Sequence, residues 1–155
     1  LLAIISTEVP MLVDITKLAT LTGIARTTIL AYLQYLHEAK LIRLLYSDDL
    51  SVKKMQKPDK ILMENTNLLQ ALSLQVPNIG TMRETFFCNQ LGYTHQVEYN
   101  KRGDYLIDHK YVFEIGGKAK DGKQVANIEN AYIASDECDY PIGNKLPLWL
   151  FGLMY

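Results

Sequence analysis

The chain has 155 residues, 48% of them hydrophobic and 21% charged, with a formal net charge of −1. This composition fits one globular domain or two small ones and excludes a disordered or collagen-like chain. The near-zero charge excludes a global basic field as the basis for any nucleic-acid partner. Cys88 and Cys138 stand far apart and form no ligand pair at short spacing, so a zinc site is not expected. They fit a reducing, cytoplasmic setting. Leu1–Ile5 is apolar but lacks the basic start of a signal peptide, and no apolar run reaches membrane-spanning length, so a membrane partner is not expected. The first residue is Leu rather than Met, and the chain opens inside an apolar pattern, as a piece of a longer protein would.

Leu1–Thr7 reads as a helix, broken by Pro10. Asp14 has the chemistry of an N-cap for a helix over Ile15–Thr22, and Gly23 ends it. A second helix is predicted from Arg26 to Ala39, with Ile29, Leu33 and Leu36 at helical spacing. Leu41–Tyr46 reads as a strand, 47–60 as a polar loop and Ile61–Met63 as a returning strand. Helix, glycine turn, helix and β-ribbon outline a winged helix-turn-helix. Arg26 at the helix start and Lys53, Lys54 and Lys57 in the wing are its candidate phosphate contacts. The outward face of the second helix, Thr27, Ala31, Gln34 and Glu38, is poor in side chains that read a groove, and Glu38 would repel phosphate. The plain alternative is a packing or interaction module whose lysines solvate a loop.

Asn65–Leu74 reads as a short helix, and the break at Pro77-Asn78 divides the chain into domains 1–76 and 77–155. Thr81–Leu91 is predicted helical and Thr94–Tyr99 extended. Next come two short β-branched or aromatic runs, Tyr105–Ile107 and Tyr111–Ile115, around the turn residues Asp108-His109-Lys110. With a three-residue loop, Ile107 pairs with Tyr111, and Asp104 then lies across from Glu114 on one face. Two facing carboxylates at a strand end suit a hard divalent cation such as Mg²⁺. A two-residue loop at 109–110 would put them on opposite faces. The plain alternative is a pair of solvated acids at a sheet rim.

Gly116-Gly117-Lys118 does not complete a phosphate-binding loop, because Val112 and Ala119 stand where that pattern needs Gly and Ser/Thr. His37, His95 and His109 are scattered and suggest no catalytic triad. Gln124–Ala134 reads as an amphipathic helix, 141–145 as a turn and 147–155 as a buried apolar end.

Asp14–Leu45, Lys57–Leu68, Arg83-Glu84 and Gly103–Lys118 together resemble the C-terminal region of a bacterial AAA-type ATPase family. The segments Phe113–Lys120 and Gly143–Gly152 carry the resemblance most specifically, and it covers nearly the whole chain. It implies an α+β chain, with a winged helix followed by a PD-(D/E)XK nuclease-like mixed sheet and flanking helices. It assigns ATP to an ATPase module outside this sequence. Carried over residue by residue, the family's acids fall on Glu84, Asp104 and Glu114. The pattern then wants Lys two residues after Glu114, where this chain has Gly116. Lys118 would serve only if Gly116-Gly117 bulges. The implied function is a nucleic-acid-associated or protein-contacting accessory region with a degenerate nuclease-like site. A Mg²⁺-dependent DNA nuclease and a non-catalytic module regulating the ATPase remain as alternatives.

Overall fold

A computed structural model describes residues 1–47 and 57–154. The chain is of mixed α+β class and divides into two compact units, Leu1–Pro77 and Asn78–Tyr155. Among the described residues, no helix is long and apolar enough to cross a membrane.

The first unit contains α1 (Leu2–Glu8), β1 (Met11–Leu12), α2 (Ile15–Thr22), α3 (Arg26–Glu38), β2 (Ile42–Leu45), β3 (Lys60–Met63) and α4 (Thr66–Leu72). The Asp14 side chain accepts from the N–H groups of Thr16 and Lys17, which have no partner inside a helix start. Gly23 leaves α2 in the left-handed region at φ 69°, which other residues adopt only with strain. Ile29 and Leu33 are completely buried and Leu36 is half-buried, so the 3.6-residue spacing identified the inner face of α3. The β-ribbon has three strands, in the order β1-β3-β2, all antiparallel. β1 escaped the sequence reading because two residues carry no period. The middle strand β3 is buried at every position, and the Arg43–Glu64 ion pair, 2.6 Å long, crosses from β2 to the residue after it.

The second unit holds α5 (Ile79–Leu91), β4 (Val97–Tyr99), β5 (Tyr105–Ile107), β6 (Tyr111–Gly116), β7 (Ala131–Ser135), β8 (Lys145–Pro147) and a 3₁₀ helix over Leu148–Leu153. Its sheet runs β4-β5-β6-β7-β8. The first three strands form an antiparallel meander, whereas β6, β7 and β8 are parallel neighbours. Phe87 of α5 packs on Tyr105, Phe113 and Phe151, which fixes α5 and the 3₁₀ helix against one face of the sheet. The other face carries Leu106, Val112 and Ile133, covered by Val125 and Ile128 of the crossover.

Two expectations change here. The segment Gln124–Ala134 is not a helix: turns occupy its first part, and Ala131–Ser135 is the strand β7. A strand paired on both sides and buried on both faces reads as a short apolar run, and period alone cannot separate such a run from a helix. Gly122, at φ 67°, lies so close to β7 that an added Cβ would collide with Ile133 Cδ1. The apolar terminus is only partly buried: Leu148 and Phe151 turn inward, whereas Trp149 and Leu153 are exposed.

Candidate functional site

The site begins with the β5–β6 turn. Ile107 pairs with Tyr111, Leu106 with Val112 and Tyr105 with Phe113, the register that a three-residue loop demands. Asp108 and His109 both take left-handed conformations, at φ 51° and 54°, as a type I′ turn requires. The Lys110 N–H closes the turn onto the Ile107 carbonyl at 3.0 Å.

Regular pairing stops at Tyr105. The Asp104 N–H donates to the Phe113 carbonyl at 2.8 Å, and the Ile115 N–H donates to Asp104 Oδ2 at 2.6 Å. A carboxylate therefore takes the place of a main-chain acceptor, beside Glu114. Gly103 allows this close crossing, since a Cβ there would meet the Phe113 carbonyl oxygen at 2.9 Å.

Glu114 is 2% exposed. Its Oε1 lies 2.9 Å from Lys120 Nζ, while its Oε2 is buried with no hydrogen-bond partner. Burying such an oxygen without a partner is unfavourable. The hydrogen bond to Glu114 holds the Lys120 ammonium above the usual lysine range, against desolvation, and the charges of Glu114, Asp104 and Glu84 act in the same direction. All three sequence-predicted acids thus act on one ammonium.

Glu84, on α5, accepts a hydrogen bond from the Tyr105 hydroxyl. Tyr105 is fully buried; desolvation, then the neighbouring Cys88 and Glu84, push its phenol well above the ordinary value. Arg83, next along α5, is tied instead to Asp136 at 3.0 Å and to Glu137 at 3.4 Å.

The lysine that meets Glu114 is Lys120, whereas Lys118 is exposed. Gly116 does not bulge; it stays in β6, paired with Ser135 of β7. The chain turns only afterwards, with the Lys120 N–H on the Gly117 carbonyl at 3.0 Å. Lys118 is exposed, and its carbonyl accepts from Lys145 Nζ at 2.6 Å. A Cβ placed on Gly116 would meet the Cβ, Cγ and Cδ of Lys120 at 2.8–2.9 Å. The stem of Lys120 therefore fills the space left by the missing side chain at Gly116. The sequence offered only a glycine-led basic stretch as a signal, and the turn decides which of its lysines returns.

Arg26 is exposed at the first position of α3. Lys57 is exposed; the Lys17 N–H, then the Thr16 N–H and the charge of Lys57, hold the Asp14 carboxyl below the usual range against desolvation. Lys53 and Lys54 lie outside the described residues. Among the described residues, no three His, Cys, Asp or Glu side chains form a group that could hold a metal ion by themselves.

The chain matches no family model, no curated protein and no solved structure.

Proposed function

We propose that this chain is the C-terminal accessory region of an AAA-type ATP-binding protein of the bacterial cytoplasm, a winged helix followed by a PD-(D/E)XK nuclease-like domain that engages DNA. ATP acts only through the ATPase module, which is also the intramolecular partner. One observation carries the reading. Lys120 stands in the space of Gly116, where the nuclease pattern wants its lysine, and bonds Glu114 beside Asp104.

The residues fit a Mg²⁺ ion. That ion is held by one or two carboxylates and completes its shell with water and phosphate oxygens, so a three-acid cage is not required. Asp104 and Glu114 would hold it, and the buried, partnerless Oε2 of Glu114 is the oxygen that favours it. When bound, the ion supplies Lewis-acid polarisation of a phosphoryl oxygen. The ammonium of Lys120 would neutralise negative charge developing on the phosphate, and Tyr105 fixes the orientation of Glu84. A Mg²⁺-dependent DNA nuclease is the second reading, favoured by the same position of Lys120.

DNA binding and cleavage by the 155-residue chain, with and without Mg²⁺ across a salt series, test both readings. Binding that strengthens with Mg²⁺, falls with salt and weakens in Asp104→Asn is the expected result. Cleavage lost in Lys120→Met would favour the nuclease. Absence of binding at low salt would overturn the DNA reading and leave a protein-contacting module.

A further inference from the structure

The second unit contains a cavity of about 370 Å³ on the Phe113 side of the sheet, whereas Glu114, the next residue of β6, faces the other side with Leu106, Val112 and Ile133. None of Glu84, Asp104, Tyr105, Glu114 and Lys120 lines the cavity, so it is separate from the acid–lysine site. Its size falls at the lower end for small-molecule sites (about 300–1,000 Å³).

Four rings line it. Phe113 and Tyr132 stack with centroids 5.6 Å apart and planes at 28°. Tyr111 lies 6.1 Å from Tyr132, tilted by 59°, and Phe151 meets Phe113 edge-on at 5.5 Å. A lining this rich in rings suits another aromatic ring, which packs on such neighbours in offset-stacked or T-shaped geometry.

Besides the hydroxyls of Tyr111 and Tyr132, the lining holds one hydrogen-bonded polar pair. His95 Nδ1 is 2.7 Å from Asp108 Oδ2, while Asp108 Oδ1 accepts from the Gln96 N–H at 2.9 Å. The left-handed turn at Asp108 aims this carboxylate, and the Asp108 N–H returns a bond to the Gln96 carbonyl at 3.0 Å. A carboxylate only accepts, so Nδ1 of the imidazole carries the proton. In the neutral ring the remaining nitrogen, Nε2, is then an acceptor. A ligand matched to the rings and to this acceptor combines an aromatic body with one hydroxyl donor.

We propose that this cavity binds a small phenolic ligand, its ring seated among Tyr111, Phe113, Tyr132 and Phe151 and its hydroxyl donating to His95 Nε2. The test is an amide-resolved NMR titration of the full chain with p-cresol, toluene and 4-methylanisole. Expected are saturable shifts at Asp108, Tyr111 and Tyr132, with p-cresol bound about fivefold more tightly than toluene, the worth of one hydrogen bond. The methyl ether, which cannot donate, falls to the toluene level. His95→Phe keeps ring binding and abolishes the preference. If that variant fails to fold, the three ligands compared on the unaltered chain decide the matter. Equal affinity for p-cresol and toluene, shifts confined to other residues, or no saturable binding would overturn the proposal.

Discussion

Lys120 Nζ lies 2.9 Å from Glu114 Oε1, although six positions and a strand end separate the two residues. Glu114 is almost wholly buried and Lys120 is partly exposed, so the carboxylate depends on the lysine more than the reverse.

Lys120→Met should therefore destabilise the second unit by about 2 kcal/mol, the range for losing a hydrogen bond between charged groups. Glu114→Gln in the same background should recover part of that loss, because no buried charge remains. A double-mutant cycle by urea unfolding reads the coupling. Independent, additive effects would show that the pair contributes nothing.

Tyr105 has a folded-state pKa well above 10.0, caused first by burial and then by Cys88 and Glu84. The unfolded chain ionises this phenol first, so above pH 10 the unfolded state binds fewer protons than the native one. Stability from this group is therefore full below pH 10 and declines as pH rises beyond it. Tyr105→Phe should unfold less steeply with alkali than the parent chain. It should also cost about 1 kcal/mol at neutral pH through the lost bond to Glu84. Urea midpoints at pH 7, 10 and 11 check both.

Gly122→Ala combines a left-handed backbone with a collision against Ile133 Cδ1. The backbone strain alone should cost about 1–2 kcal/mol. Thermal unfolding measures it. An unchanged melting temperature would mean that the crossover can lift from β7 without loss.

Leu33 is completely buried in the first unit. Leu33→Asp places an unpaired charge there, at a cost on the order of 3–5 kcal/mol. The circular dichroism of the variant should show that α3 is lost; a cooperative transition like the parent's would place Leu33 on the wrong face.

Local chemistry alone determined much of this protein. Asp14 and Gly23 delimit α2 through capping groups that act within a few residues, and Ile29 and Leu33 mark the buried face of α3 by period. The β5–β6 register followed from the three-residue turn, whereas Asp104 lies beyond the last regular pair and meets β6 through its carboxylate on the Ile115 N–H. Each of these depends on residues close together in sequence. Tertiary structure decided the rest. Whether Ala131–Ser135 is helix or strand depends on β6 and β8 on either side, which supply the partners for its backbone. The lysine that reaches Glu114 is set by the turn after Gly116 and by the empty space at that glycine. The ring-lined cavity draws on β6, β7 and the 3₁₀ helix, with His95 held by a carboxylate 13 residues away. No local pattern encodes those meetings, because packing between distant segments creates them.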